Sequence, residues 1–148
     1  MEMNYFKGLL ESSTFIDMSS CQLNGTLPTT IGKLTHVTRL AVTNNQLSGS
    51  IPSELGLLSR LSVLDTSFNQ LSGTICTELG LLFDLQSMFL GFNSFYGMIP
   101  SELGQCSNLV ALSFVNNHLT GTIPSELCEL RKLIKIDVDN NEVTNSCQ

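Results

Sequence analysis

The stretch Asn45-Gln46-Leu47-Ser48-Gly49-Ser50-Ile51-Pro52-Ser53-Glu54-Leu55-Gly56-Leu57-Leu58 returns as Asn117-His118-Leu119-Thr120-Gly121-Thr122-Ile123-Pro124-Ser125-Glu126-Leu127-Cys128-Glu129-Leu130. Between the two copies an Asn ends each apolar run, at Asn45, Asn69, Asn93 and Asn117, and again at Asn141, with every gap 24 residues. One period further back the same place holds Cys21. A fixed period of this length is the signature of a solenoid, in which one short unit repeats and each copy packs on the next.

Columns in the same register have physical reasons. Five residues before each marker stand Ile16, Leu40, Leu64, Met88, Leu112 and Ile136; three before stand Met18, Val42, Thr66, Leu90, Phe114 and Val138. Leu109 to Phe114 reads as a short strand with side chains at 109, 112 and 114 turned inward. No such strand buries its face alone, but stacked coils share one core. The marker Asn suits the bend after the strand because its amide both donates and accepts hydrogen bonds. Cys21 lacks that capacity, so the first coil is expected to be bonded more loosely. Gly25, Gly49, Gly73, Gly97 and Gly121 supply positive φ, and Pro28, Pro52, Pro100 and Pro124 fix φ, with Cys76 replacing one Pro. Ser53-Glu54-Leu55-Gly56 and Ser101-Glu102-Leu103-Gly104 read as short helical turns ended by Gly. Their glutamates face outward, making Glu54, Glu78, Glu102 and Glu126 a convex acidic row whose plain reading is a solvated face.

Composition bounds the function. Only 14% of the 148 residues are charged, 7 basic against 13 acidic, for a net charge of −6. No basic cluster exists to hold nucleic acid. No apolar run approaches the ~20 residues that span a bilayer. Met1-Glu2-Met3-Asn4-Tyr5-Phe6-Lys7 lacks the basic-then-apolar order of a secretory signal, which leaves the compartment open.

The run Asn-x-Leu-(Ser/Thr)-Gly-x-Ile-Pro-x-x-Leu-Gly-x-Leu resembles the plant-type leucine-rich repeats of receptor-kinase ectodomains, polygalacturonase-inhibiting proteins and similar algal proteins. Their consensus accepts Cys at the marker, as at Cys21. The resemblance covers nearly all of residues 1–148 as one domain of about six coils, since Gly8 and Leu10 already fit the preceding coil's columns. It implies an α/β fold: a right-handed solenoid with a parallel sheet on the concave face and short helical turns on the convex face. It also implies recognition of proteins, peptides or small hormones, usually outside the cell. A capping segment with a Cys pair, usual at the start of family members, is not seen, and neither a kinase domain nor a membrane span follows, as a complete receptor would require.

Strand residues facing outward are expected six, four, two and one before each marker. These columns gather Val63, Phe68, Phe89, Phe92, Ala111 and Val115 at mid-solenoid, with Asp65 and Ser113 among them and Tyr96 at the edge. Gly91 is read as a gap between Phe89 and Phe92 that admits a ligand side chain. Exposed aromatics grouped in this way mark binding sites. The alternative is that Phe68 and Phe92 fold over the strand ends and pack on neighbouring coils. Asp17 and Asp65 on one side, and Asp137 and Asp139 on the other, either meet a basic ligand or keep a flat sheet soluble.

Five cysteines leave at least one unpaired within the chain. Cys128 with Cys147 closes the last coil, and Cys106 with Cys128 is the competing pair. Cys106 otherwise reads as an inert buried thiol, and Cys76 as the spare. Two histidines, His36 and His118, fall in different columns off the concave strands, and no catalytic or phosphate motif occurs. The chain is therefore expected to be a non-enzyme without a cofactor. A metal site from Cys128, Cys147 and His118 is the remote exception. Asn24-Gly25-Thr26 is a glycosylation sequon, meaningful only in the secretory pathway.

The leading function is recognition of a protein or peptide across the concave sheet, in signalling or defence. Inhibition of a secreted hydrolase, a receptor-ectodomain fragment, ice binding by the Thr26, Ser50, Thr74, Met98, Thr122 and Ser146 column, and end-to-end self-association stand as alternatives.

Overall fold

Three-residue strands at a fixed period become stable only by stacking, and the structure, a computed structural model describing residues 13–147, stacks them in two series. The first strand of each coil is β1 (Phe15–Asp17), β3 (Arg39–Ala41), β5 (Val63–Asp65), β7 (Ser87–Phe89), β9 (Ala111–Ser113) or β11 (Lys135–Asp137). The second is β2 (Asn24–Thr26), β4 (Gln46–Gly49), β6 (Gln70–Gly73), β8 (Ser94–Met98), β10 (His118–Thr122) or β12 (Glu142–Thr144). Each series forms a parallel sheet in which coil follows coil, β1-β3-β5-β7-β9-β11 and β12-β10-β8-β6-β4-β2. Gly8 and Leu10, assigned by the period to a preceding coil, lie outside the described residues.

The register places equivalent residues side by side: Ile16 with Leu40, Leu40 with Leu64, Leu64 with Met88, Met88 with Leu112. These side chains are buried and join Leu47, Leu71, Phe95 and Leu119 from the second sheet in one continuous core. At the last coil the same columns, as Ile136, Val138 and Val143, are only partly buried.

The marker Asn holds the inward bend. Asn69 donates from Nδ2 to the carbonyls of Val42, Thr66 and Ser67 at 3.0, 3.1 and 3.3 Å, and its Oδ1 accepts from the Leu47 N–H at 2.9 Å. Asn45, Asn93, Asn117 and Asn141 repeat the pattern. Buried backbone groups are satisfied side chain by side chain where strand pairing stops. Cys21 contributes one weak contact, Sγ to the Ser19 carbonyl at 3.4 Å, as its chemistry dictates.

The expected solenoid and its short helical turns are present, with one addition to the sheet and one correction to how the turns end. The repeats carry two sheets, because Gln46-Leu47-Ser48 and its equivalents alternate as a strand does, with Leu47 and Leu71 buried between half-buried or exposed polar neighbours. The convex turns Thr29–Lys33, Ser53–Leu57, Thr77–Leu81 and Ser101–Gln105 are 3₁₀, and among the described residues only α1 (Ser125–Cys128) is an α turn. Their glycines do not end them. Gly56 sits inside its turn, and a Cβ there would collide with the Glu78 carbonyl of the next coil, so Gly is required for close stacking rather than for a cap.

Cys128 and Cys147 form a disulfide with their Cα atoms 5.3 Å apart, which excludes the Cys106–Cys128 pairing. Cys106 is a free, fully buried thiol directed at the carbonyls of Leu79 and Gly80 at 3.5 and 3.6 Å. Burial pushes its pKa up to about 11. Cys21 and Cys76 are also free.

Candidate functional site

Strand geometry alone sets most of the candidate face. Alternate residues of β5, β7 and β9 turn away from the core, so Val63, Asp65, Ser87, Phe89, Ala111 and Ser113 are partly exposed around fully buried Leu64, Met88 and Leu112. The register aligns Val63 with Ser87 and Ser87 with Ala111, and likewise Asp65 with Phe89 and Phe89 with Ser113. Phe89 therefore lies between a carboxylate and a hydroxyl on one face.

The residue immediately before each marker is the feature that strand alternation did not reveal. Ser20, Asn44, Phe68, Phe92, Asn116 and Asn140 all have positive φ, between 54° and 57°. Asn tolerates this left-handed conformation; for a bulky residue it costs on the order of 1 kcal/mol or more. The geometry is held by the ladder, in which the Phe68 N–H donates to the Gly91 carbonyl at 3.0 Å and the Phe92 N–H to the Val115 carbonyl at 2.7 Å.

Held this way, equivalent side chains meet along the solenoid. Asn44 Nδ2 donates to Ser20 Oγ at 2.9 Å, and Asn140 Nδ2 to Asn116 Oδ1 at 3.1 Å. Between these polar pairs Phe68 and Phe92 stack, centroids 4.2 Å apart and planes within 10°. Stacking does not hide them: Phe68 is 51% exposed and Phe92 41%. The rings pack on each other across neighbouring coils and still face solvent. The sequence signal that could have found the conformation is the Asn and Ser content of the rest of that column.

The gap expected at Gly91 is closed. A Cβ at Gly91 would lie 2.7 Å from Val115 Cγ1, so the valine of the next coil fills that space and Gly91 itself is buried. Tyr96 is also displaced from its expected place. It stands on β8 of the second sheet, in register with His118 and near Met98, where three and five residues past the marker the chain has already turned away from the first sheet.

The acidic column is partly spent on its own backbone. Asp17, Asp65 and Asp137 accept from the N–H two residues on, at 3.0, 3.0 and 3.3 Å. The hydroxyl and then the N–H of Ser19 hold the Asp17 carboxyl below the usual carboxylate range. Asp137 further pairs with Lys135 at 3.3 Å, and Arg39 lies over the Phe15 ring, 5.2 Å from its centroid. Charge thus collects toward the two ends of the sheet, while Phe68, Phe89, Phe92, Ala111 and Val115 form an uncharged middle beside Asp65. The metal alternative loses Cys128 and Cys147 to the disulfide, and among the described residues no cluster of His, Cys, Asp and Glu has metal-binding geometry.

Known proteins share this geometry. The Leucine Rich Repeat family model matches residues 12–34, 36–58 and 108–130. The structure is similar to PEPR1 in its crystal structure with AtPEP1, at 40% identity and TM-score 0.86, over 90% of this chain and 19% of that one. It is also similar to the LRR ectodomain of the receptor kinase SOBIR1 from Arabidopsis thaliana, at 30% identity and TM-score 0.82, over 88% of this chain and 70% of that one. The Arabidopsis receptor kinase HAESA, solved with the peptide hormone IDA and the co-receptor SERK1, matches at 29% identity and TM-score 0.85, over 97% of this chain and 24% of that one. Against three of the receptor chains it matches, this chain spans between 19% and 24% of their length. Among curated proteins none matches the sequence.

Proposed function

The chain belongs to the plant-type leucine-rich-repeat proteins, and from that premise we propose that it is a non-catalytic recognition module whose concave sheet receives an extended protein or peptide ligand. The observation that carries the reading is the Phe68–Phe92 stack, two half-exposed rings kept on left-handed backbone where the same column elsewhere carries Ser or Asn. A bulky residue in a strained conformation that buries neither ring completely contributes little to folding. It does offer a ligand rigid apolar surface at small entropic cost.

Phe89, Ala111, Ser113 and Val115 extend that surface across the neighbouring strands, and Val63 and Asp65 bound it. In this reading the ligand is apolar where it meets the rings and basic or polar where it reaches Asp65. Similarity to PEPR1 and HAESA, solved with AtPEP1 and with a peptide hormone, supports a peptide as the occupant. The same similarity to receptor ectodomains supports an extracellular or cell-surface setting.

Selection of a random peptide display library on the immobilised protein tests the proposal, with every enriched peptide re-measured on a Phe89→Asp/Phe92→Asp variant checked for folding by circular dichroism. Peptides that bind the parent and weaken at least tenfold on the variant support it. Peptides that bind both equally would move recognition off the mid-sheet.

A further inference from the structure

The convex face carries a second exposed apolar group, unrelated to the concave site. Leu57, Leu81 and Phe83 are 57%, 45% and 53% exposed. In a 3₁₀ turn residues i and i+3 eclipse, so Glu54 and Leu57 project from one side of Ser53–Leu57, and Glu78 and Leu81 from one side of Thr77–Leu81. Repetition turns this into two parallel columns, an acidic one of Glu54, Glu78, Glu102 and Glu126 and beside it an apolar one of Leu57 and Leu81. Phe83 extends the apolar column, and its N–H donates to the Leu81 carbonyl at 3.0 Å. Further along, the face opens into a shallow groove lined by Glu102, Gln105, Glu126, Glu129 and Leu130.

The acidic column is uncompensated. Ser53, Thr77 and Ser125 hydroxyls reach the glutamates that follow them at 3.5, 3.4 and 3.3 Å, and the one ion pair among the described residues is Lys135–Asp137, elsewhere. Spacing adds a constraint. Coils repeat at ~4.8 Å, near the ~5.4 Å pitch of an α-helix, so a helix laid along the solenoid presents one side chain per turn to each coil. Over the three steps from Glu54 to Glu126 the mismatch grows to about 2 Å, within reach of a flexible Lys or Arg.

We propose that this convex face docks a basic amphipathic helix of a partner protein. The helix sets a Lys/Arg row on Glu54, Glu78, Glu102 and Glu126 and its adjoining apolar stripe on Leu57, Leu81 and Phe83. The site lies on coils inside the stack and does not depend on the concave reading.

The test uses the whole chain and a defined probe, an 18-residue Leu/Lys amphipathic helix labelled for fluorescence anisotropy. Its Leu/Glu counterpart and vesicles of phosphatidylcholine with phosphatidylserine serve as comparators. Saturable binding of the Leu/Lys helix is expected, at least tenfold weaker for Leu81→Ser/Phe83→Ser, which keeps every charge, and for Glu78→Gln/Glu102→Gln, which keeps every apolar group. These side chains are on the surface, so both variants are expected to fold as the parent does, which circular dichroism checks. Binding insensitive to Leu81→Ser/Phe83→Ser would reduce the effect to charge alone and overturn the proposal. Equal binding of the Leu/Glu helix, preferential binding of vesicles, or loss of Leu/Lys binding on Phe89→Ser/Phe92→Ser would overturn it as well.

Discussion

Asn93 and Leu71 sit on successive coils and are joined by one bond, the Leu71 N–H donating to Asn93 Oδ1 at 2.9 Å. The same side chain donates to the carbonyls of Thr66, Leu90 and Gly91 at 3.0, 3.1 and 3.3 Å. One amide thus serves four backbone groups, sharing the Thr66 carbonyl with Asn69, the Leu90 carbonyl with Asn117 and the Gly91 carbonyl with the Phe68 N–H. Asn93→Ala leaves the Leu71 N–H without its acceptor and takes one of two donors from each carbonyl, so at ~1–3 kcal/mol for a buried group left unpaired the loss is at least ~1 kcal/mol. Urea denaturation should show that drop, and Asn93→Asp, which still accepts but no longer donates, should recover only part of it.

Thr66 fills a core column otherwise held by Met18, Val42, Leu90, Phe114 and Val138. It is fully buried, and its Oγ1 has no hydrogen-bond partner. Thr66→Val keeps the shape and removes the stranded hydroxyl, so it is expected to stabilise by ~1 kcal/mol. A melting temperature unchanged or lowered would show that the hydroxyl is satisfied in solution.

The stacked rings oppose two terms of similar size. Asn at positions 68 and 92 relieves left-handed strain on the order of 1 kcal/mol each, while losing a half-exposed stack worth ~0.5–1.5 kcal/mol. The double variant Phe68→Asn/Phe92→Asn is therefore expected to melt at or above the parent temperature and to lose ligand binding at least tenfold. A variant several degrees less stable would mean that the rings hold the coils together.

Cysteine reactivity separates buried from exposed thiols. Iodoacetamide at pH 8 should modify exposed Cys21 quickly and leave Cys106, fully buried with its pKa near 11, unmodified while the protein is folded. Linkage has a definite sign here. A folded pKa raised above the ordinary value of 9.0 favours the folded state below pH 9, and that contribution is lost as pH rises toward 11. Cys106→Ala should flatten the alkaline limb of stability between those values.

What was legible in the sequence and what was not divide along one line. Inward columns such as Ile16, Leu40 and Leu64 were readable because repetition fixes burial, and the outward placement of Val63, Phe89 and Ala111 followed from strand alternation. The conformation of Phe68 and Phe92 was not, because side-chain type gives no hint of positive φ when the residue is Phe. Nor was the filling of the Gly91 space, which depends on how far Val115 of the next coil leans across it. The second sheet hid in plain alternation, since a Leu-Ser-Gly run with a positive-φ glycine has poor strand propensity in isolation and is recruited by its neighbours.

The Cys128–Cys147 disulfide closes 19 residues around the last coil, whose columns Ile136, Val138 and Val143 are only partly buried. With less core than its neighbours, that coil depends more on the crosslink, which by loop length contributes ~3 kcal/mol. Because repeats interact with nearest neighbours, reduction should loosen the end without unfolding the middle. Hydrogen exchange after dithiothreitol treatment is expected to speed up in α1, β11 and β12 and to stay slow in β5, β7 and β9. Acceleration spread evenly over all strands would instead mean that the solenoid unfolds as one cooperative unit anchored at this bond.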